Sequence, residues 1–197
     1  ALGEESFLIA DSNRDAVAWI DRWPDWPGRI LAVHGPPGAG KTHLSHVWQR
    51  RCDAQRLDAG QLDQTFLETW PGKGTALVIE NGDQGVDETV LFHVINLVRE
   101  DKGYLLLTGR EAPARWPVDL PDLGSRLAAM TAVQLGPPDD QLIAAVLTKQ
   151  FQDRQLRVPG DVVAYLVARM ERSFAAIGQT VAALDTLSLA ERRAITV

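Results

Sequence analysis

Cysteine, long apolar runs and surplus positive charge are what this sequence lacks. Its 197 residues include one cysteine, Cys52, which excludes an internal disulfide and indicates a reducing compartment. No apolar run reaches the roughly 18 residues of a membrane-spanning helix, and no signal peptide is recognisable. A net charge of −6 argues against a protein that coats nucleic acid by itself, although a local basic patch is compatible with it. We therefore expect a cytoplasmic protein.

A glycine-rich loop, His34-Gly35-Pro36-Pro37-Gly38-Ala39-Gly40-Lys41-Thr42, carries the strongest chemical signal. It fits the phosphate-binding pattern G-x-x-x-x-G-K-[S/T], and it has an apolar run at 30–33 before it and a helical pattern after it. Its glycines allow backbone N–H groups to point at an anion. The pattern predicts Lys41 on the β- and γ-phosphates and the Thr42 hydroxyl on Mg²⁺. Nucleotide contacts are predicted for Pro37, Gly38, Ala39, Gly40, Lys41, Thr42 and His43.

Apolar strands alternate with helical patterns along the first two thirds of the chain. The predicted strands are residues 30–33, 56–59, 76–79, 103–108 and 130–135. This alternation predicts an α/β fold with a parallel five-stranded sheet flanked by helices. The segment Gly136-Pro137-Pro138-Asp139-Asp140 breaks the pattern, and three helical patterns follow it. We predict an α/β domain over residues 1–136 and a small all-helical domain over residues 137–197.

An acidic side chain at a neighbouring strand end is the second part that a phosphate loop needs, because it holds Mg²⁺ through water. Glu80 follows the strand at 76–79, in the place usually taken by aspartate. The next residue commonly activates the attacking water, but here it is Asn81, which cannot accept a proton. Asp83 could replace it only if the turn folds back. We therefore expect good nucleotide binding and slow intrinsic hydrolysis.

Thr108 and three arginines are further candidates for contacts with phosphate. Thr108 ends the strand at 103–108, and Arg110 lies close enough to be its alternative. Arg126 and Arg172 could each act on a phosphate, Arg126 also on one bound to a neighbouring subunit. A solvated surface charge is the commoner role for an isolated arginine. Position alone does not decide between these roles.

In combination, these motifs resemble those of the AAA+ ATPases. The features are the phosphate loop, Glu80-Asn81, the Thr-Gly-Arg of 108–110, the three C-terminal helices and the segment Leu120-Pro121-Asp122-Leu123-Gly124-Ser125-Arg126-Leu127. Within that family the whole chain is similar to the bacterial replication initiators, above all to the Hda/HdaA-type regulators, which are related to DnaA. The resemblance implies an AAA+ P-loop core with a small helical lid.

The resemblance also assigns roles around the nucleotide, which would be ADP or ATP with Mg²⁺. Residues 35–42 match Walker A, and Glu80-Asn81 matches Walker B. Asn81 favours the Hda branch over DnaA itself. Arg110 stands where an acidic sensor-1 residue is common, so Thr108 is the nearest candidate for that role. The segment that holds the adenine matches Ile9, Ala10, Ser12 and Asn13.

A mechanism in trans follows from the resemblance. Arg126 matches the arginine finger of the box VII motif, and Arg172 matches the sensor-2 arginine. The ADP-bound regulator, loaded on the sliding clamp of DNA polymerase III, would dock on ATP-bound DnaA and stimulate its hydrolysis. The partners implied are DnaA, the clamp and a second copy of the chain. DNA would be contacted only indirectly, through the clamp, and the protein would act near the nucleoid and the replisome. The family's N-terminal clamp peptide is not found in residues 1–10.

Two other classes of function remain open at this point. A self-contained AAA+ motor or helicase loader would form rings and hydrolyse ATP strongly, which Glu80-Asn81 disfavours. A P-loop kinase would need a catalytic carboxylate and an arginine-rich substrate lid, which the all-helical C-terminal part fits poorly. The sequence therefore favours the regulator, with Arg126 as the arginine finger that the resemblance implies.

Overall fold

The computed structural model describes residues 8–70, 74–100 and 102–191. Within these ranges the chain divides into two compact units. The first, called here the α/β unit, comprises residues 15–36 and 41–135. The second, called the helical unit, comprises the described parts of 1–14, 37–40 and 136–197. The predicted domain boundary between residues 136 and 137 stays a prediction.

A parallel five-stranded sheet in the order β2-β3-β4-β1-β5 forms the centre of the α/β unit. Its strands are β1 Ile30–His34, β2 Gln55–Asp58, β3 Ala76–Glu80, β4 Tyr104–Gly109 and β5 Thr131–Gln134. The helices around it are α1 Arg14–Asp21, α2 Lys41–Cys52, α3 Gln64–Thr69, α4 Glu88–Glu100 and α5 Pro121–Ala128. The predicted α/β fold with five parallel strands is confirmed.

The central strands are apolar up to their last residues because helices cover both faces of the sheet. Leu77 of β3 pairs with Leu105 of β4, Ile79 pairs with Leu107, and all four are fully buried. On the other side of β4, His34 of β1 lies opposite the last residue of the strand. Because the strands are parallel, β1, β3 and β4 end at the same edge of the sheet. The predicted phosphate loop and the two polar strand ends therefore meet there.

The helical unit contains α6 Asp140–Asp153, α7 Gly160–Val167 and α8 Phe174–Glu191. The Asp139 side chain caps α6 by accepting a hydrogen bond from the backbone N–H of Leu142 at 2.8 Å. A separate apolar cluster holds α6 and α8 together, with its most buried members being Ile143, Leu147, Phe151, Ile177 and Val181. The three predicted C-terminal helices are confirmed. Within the described ranges, no helix has the length and apolarity to cross a membrane.

Cys52, at the end of α2, is expected to react slowly with alkylating reagents. Burial raises the pKa of its thiol from 9.0 to about 11, and the Sγ atom donates a hydrogen bond to the carbonyl of Trp48 at 3.2 Å. Since the thiolate is the nucleophile, a rise of two pKa units lowers the alkylation rate at pH 8 by about 100-fold. Iodoacetamide labelling followed by mass spectrometry measures this rate. The urea-unfolded protein is the control, and equal rates in both states would contradict the prediction.

Candidate nucleotide site

The loop between β1 and α2 is held at the sheet edge by backbone hydrogen bonds. The N–H of Gly35 donates to the carbonyl of Gly109 at 3.2 Å, and the His34 carbonyl accepts from the N–H of Leu135 at 2.7 Å. The Lys41 ammonium donates to the carbonyls of Gly35 at 2.7 Å and Pro36 at 2.9 Å. The loop thus curls around the lysine that begins α2. This is the strand–loop–helix arrangement that the sequence predicts.

Gly35 has no room for a side chain, because a Cβ atom there would lie 2.0 Å from the carbonyl oxygen of Leu135. We expect Gly35→Ala to lower the free energy of unfolding by about 3 kcal/mol, since the clash involves the backbone of β1 and of the segment after β5. Urea unfolding followed by circular dichroism measures the change. Gly178→Ala is the matched control, because nothing lies within 4 Å of the added atom in α8. That control should be neutral or stabilising, and equal stability of Gly35→Ala and wild type would contradict the steric argument.

Two further loop glycines pack against the start of α8 within the helical unit. A Cβ on Gly38 would lie 2.3 Å from that of Ser173, and one on Gly40 would lie 2.9 Å from the Phe174 ring. Both glycines have positive φ, at 74° and 100°. The Gly38 carbonyl also accepts a hydrogen bond from the Phe174 N–H at 3.1 Å. The middle of the loop therefore needs glycine both for its backbone conformation and for this close packing.

Arg172, the predicted sensor-2 residue, directly precedes the Ser173 that touches the loop. Its guanidinium is about half exposed and forms an ion pair with Asp140 at 2.7 Å. The structure thus places Arg172 next to a residue that packs on Gly38 and gives it a carboxylate partner at the start of α6. Its contact with nucleotide stays a prediction.

Glu80, at the end of β3, is buried and accepts three hydrogen bonds. Its Oε2 accepts from the Thr42 hydroxyl at 2.8 Å. Its Oε1 accepts from the Ser45 hydroxyl at 2.5 Å and from the Arg56 guanidinium at 3.2 Å. The structure brings together Thr42 and Glu80, the two residues that the sequence predicts at Mg²⁺. The sequence analysis missed Ser45, which lies one helical turn beyond Thr42, and Arg56, which lies on β2.

Mg²⁺ is the cofactor predicted at Thr42 and Glu80, and the contacts of Glu80 bear on that prediction. A hydroxyl and a carboxylate are oxygen ligands of the kind that Mg²⁺ prefers. Both oxygens of Glu80 are engaged, however, and Arg56 supplies a compensating positive charge. No cluster of three or more His, Cys, Asp or Glu side chains in the described ranges is suited to a metal ion. The residues present fit a neutralised carboxylate better than a magnesium site.

Asn81 and Thr108 are engaged with each other and with β2. The Asn81 amide donates to Asp58 at 2.6 Å, and its backbone N–H donates to the Thr108 hydroxyl at 3.3 Å. Thr108 is buried. Arg110, its alternative at sensor 1, is exposed. Asn81 and Thr108 therefore link the ends of β2, β3 and β4 by hydrogen bonds. Whether Thr108 or Arg110 serves as sensor 1 stays a prediction.

The sequence predicts that Asp83 can replace Asn81 only if the turn after β3 folds back. That turn folds back, closed by the Gln84 N–H on the Asn81 carbonyl at 2.9 Å. The Asp83 Oδ2 accepts from the N–H of Arg110 at 2.7 Å and of Glu111 at 3.4 Å. Its Oδ1 is buried and has no hydrogen-bond partner among the described residues. Asp83 thus lies between the ends of β3 and β4.

Burial and three charged side chains determine the pKa of Lys41. Burial lowers the pKa of the Lys41 ammonium, and this is the largest effect on it. The carboxylate of Asp83 is the charge that acts most strongly on it and raises the pKa, followed by the opposing guanidinium of Arg110 and then by Glu80. Two carboxylates and an arginine thus act on the charge of the lysine, and Asp83 has a stronger effect on its pKa than Glu80, the residue that the motif predicted.

Arg126 lies in the last turn of α5, in the α/β unit, and is partly exposed. Its helix is anchored by Leu123 and Leu127, which are buried in the hydrophobic core of the α/β unit. No hydrogen bond or ion pair joins the Arg126 side chain to any residue that the structure describes. This distinguishes it from Arg172. An arginine on a helix that is anchored by buried residues, with no partner in its own chain, is available to act on a phosphate in trans.

The predicted adenine segment forms a tight turn before α1, in the helical unit. The buried Asn13 side chain accepts from the Ala10 N–H and donates to the Leu8 carbonyl, both at 2.9 Å. The Ser12 carbonyl accepts from the N–H of Gly136 at 2.9 Å. Ile9 is left with 60% of its surface exposed. The exposed Ile9 side chain is available to contact the adenine ring. That contact stays a prediction, and so does the predicted contact of the exposed His43 with the nucleotide.

Comparisons with known proteins agree with this arrangement. Residues 139–197 match the family model described as "Hda, lid domain". The chain is 24% identical over 193 residues to the chromosomal replication initiator protein DnaA of Symbiobacterium thermophilum. That match covers 85% of this chain and 42% of the DnaA sequence, so the chain spans about two fifths of the relative's length.

Solved structures share the fold over nearly the whole chain. A crystal structure described as a DNA replication initiation factor matches with a TM-score of 0.78 and 17% identity, over 95% of this chain and 67% of that one. AMPPCP-bound DnaA from Aquifex aeolicus matches with a TM-score of 0.76 and 16% identity, over 94% and 67%. The resemblance stated from the sequence is thereby confirmed. The chain has the AAA+ fold of these structures, and its residues 139–197 match the Hda lid-domain model.

Proposed function

We propose that this chain binds an adenine nucleotide at residues 35–42 and stimulates ATP hydrolysis by DnaA. Arg126 would reach the nucleotide bound to DnaA and stabilise the charge that develops during phosphoryl transfer. DnaA would thereby be inactivated, and replication initiation would be inhibited. The sliding clamp of DNA polymerase III and a homodimer enter the proposal through the family resemblance, as does a location near the nucleoid.

The observation that carries this proposal is the unpartnered Arg126. It lies on a short helix whose apolar residues are buried, and its guanidinium has no described partner in its own chain. An arginine finger must meet both conditions, because its fork has to arrive preorganised and free to bind phosphate. The Hda lid match at 139–197 supports a regulator over an initiator.

Nucleotide binding is supported by the loop geometry and by the relatives. The loop combines positive-φ glycines, a lysine and the start of a helix, which together favour an anion. A solved structure of similar fold is described as DnaA bound to AMPPCP and single-stranded DNA. ADP is the proposed resident nucleotide, because Asn81 cannot act as a base and its amide is committed to Asp58.

A self-contained ATPase, of the helicase-loader kind, is the second candidate, and Asp83 is what favours it. This carboxylate acts on Lys41 more strongly than Glu80 does, and one of its oxygens lacks a hydrogen-bond partner in the described ranges. It could accept a proton where Asn81 cannot. Vigorous hydrolysis by the isolated protein that is lost in Asp83→Asn would favour this candidate.

Phosphate release measured with four mixtures tests the proposal. The mixtures are this protein alone, ATP-loaded DnaA alone, both proteins, and both proteins with DNA-loaded clamp. We expect the last mixture to hydrolyse ATP much faster than the sum of the first two. Strong activity of this protein alone, unchanged by DnaA and clamp, would contradict the regulator and leave the second candidate.

A further inference from the structure

We propose that Arg56 takes the place of a divalent cation at Glu80, so that the chain binds ADP equally well with and without Mg²⁺. The inference rests on the proposed nucleotide binding and deepens it by removing one cofactor from the site. Arg56 acts as a positioning residue, because it touches Glu80 and not the nucleotide loop.

Three donors converge on the Glu80 carboxylate from two elements. Thr42 and Ser45 reach it from the first two turns of α2, at 2.8 and 2.5 Å. Arg56 reaches it from β2, at 3.2 Å. A hydrogen bond between the loop hydroxyl and a strand-end carboxylate can give way to a metal ion. The additional hydroxyl and guanidinium are what set this site apart, because they leave little of the carboxylate free to accept from metal-bound water.

Burial strengthens the pair. The Glu80 side chain is 11% exposed and that of Arg56 is 32% exposed. An ion pair in this setting is weakly screened, and removing one partner leaves an uncompensated buried charge. The guanidinium cannot lose its charge at any relevant pH. A divalent cation entering near Glu80 would therefore meet a permanent positive charge instead of a free carboxylate.

The strand pairing explains why Arg56 reaches this place. Asp58 of β2 lies opposite Glu80 of β3, and Arg56 lies opposite Val78. Residues two apart in a strand share a face of the sheet, so Arg56 extends along the face that carries Asp58. Glutamate is one methylene longer than the aspartate usual at this position, which lets the carboxylate meet both the arginine and α2. Asp58 itself is used by Asn81 and by the N–H of Gly60.

Mg²⁺ also has strict requirements that these contacts do not meet. It binds in a near-ideal octahedron at about 2.1 Å and keeps several of its waters. Direct binding to Thr42 would break that hydroxyl's hydrogen bond to Glu80, and the retained waters would have to compete with Ser45 and Arg56 for the carboxylate. Any gain from the metal is therefore offset by the loss of contacts that already stabilise the site.

Titration calorimetry of the nucleotide-stripped protein with ADP tests the inference. The dissociation constant is measured in millimolar Mg²⁺ and in excess EDTA. For the wild type we expect the two values to agree within about twofold. In a second measurement, electron paramagnetic resonance of Mn²⁺ should show that adding the protein to Mn²⁺–ADP leaves the free Mn²⁺ signal unchanged, because equal ADP affinities in both buffers mean that the protein adds no ligand to the metal. A fall in the free Mn²⁺ signal would overturn the inference.

Arg56→Gln is the decisive variant, since it keeps a hydrogen-bond donor and removes the charge. We expect Mg²⁺ to tighten ADP binding to this variant by about tenfold, because the carboxylate loses its permanent counter-ion. Arg51→Gln is the matched control. Arg51 is similarly exposed, at 37%, but pairs with Asp21 of α1. Its two dissociation constants should agree as those of the wild type do.

The outcomes separate this inference from the function on which it rests. ADP binding to the wild type that is tenfold tighter with Mg²⁺ overturns the inference and leaves nucleotide binding intact. Absence of ADP binding in both buffers overturns the proposed nucleotide site and the inference with it. Equal affinities in both buffers for Arg56→Gln overturn the role of Arg56. Should Arg56→Gln fail to fold, the wild-type comparison and the Mn²⁺ signal still decide.

Discussion

Arg126→Ala should bind ADP as tightly as the wild type and should no longer stimulate ATP hydrolysis by DnaA. The side chain has no described partner in its own chain, so its removal should change the free energy of unfolding by less than about 0.5 kcal/mol. In the DnaA complex, in contrast, the expected loss is large, because an arginine finger contributes about 10³-fold or more to the rate. Single-turnover hydrolysis of ATP pre-bound to DnaA measures this loss.

Two further variants make the Arg126 experiment specific. Arg126→Lys keeps the charge but loses the planar fork, so we expect little recovery of stimulation. Arg115→Ala is the control, because this arginine is also in the α/β unit, is 78% exposed and forms an ion pair with Glu111 in its own segment. It should stimulate DnaA normally. Full stimulation by Arg126→Ala would show that the finger has been assigned to the wrong residue.

Lys41→Ala is expected to weaken ADP binding by about 100-fold. The ammonium is the only side-chain cation within the loop of residues 35–42, and a hydrogen bond to a charged group contributes up to about 3 kcal/mol. Its present contacts, with the carbonyls of Gly35 and Pro36, show that it already lies inside the curl of the loop. Equilibrium binding of a fluorescent ADP derivative measures the loss.

Stability must be measured beside affinity for Lys41→Ala, because the ammonium also links two loop carbonyls. Thermal unfolding without nucleotide should show a small change, since the Pro36 carbonyl is exposed and only the Gly35 carbonyl loses a partly buried partner. Lys149→Ala is the control, because it removes a lysine of α6 that is distant in sequence from the loop; it should bind ADP like the wild type. An Lys41→Ala variant that is fully folded and binds ADP like the wild type would remove residues 35–42 from the proposed site.

Local patterns of the sequence were sufficient to predict the five strands and the strand–loop–helix arrangement around residues 35–42. Each of these depends on residues that are close in sequence or on the general rule that parallel strands end at one edge. The apolar runs of β3 and β4 are long and uninterrupted, so their burial was also predictable. The resemblance to DnaA-related proteins followed from motifs at fixed spacing and was confirmed by the comparisons.

The contacts of Arg56 and Asp83 could not be predicted in this way. Arg56 reaches Glu80 only because of the particular register between β2 and β3, and β2 is a short, mostly exposed strand with a weak pattern. Asp83 reaches the backbone of Arg110 only because a turn of four residues folds back onto the end of β4. Register and turn direction are set by the whole fold, so single-sequence patterns contain little information about them.

The packing of Gly38 against Ser173 has a consequence for how the protein opens. Residues 37–40 belong to the same compact unit as α8, although the chain on either side of them belongs to the sheet. Amides that share a cooperative unit exchange with solvent hydrogen through the same opening event. The backbone amides of the loop centre should therefore show the protection of Phe174 and the α8 residues after it, and not that of their sequence neighbours in β1. Local unfolding of the helical unit would in this way dismantle the phosphate loop while the sheet remains intact.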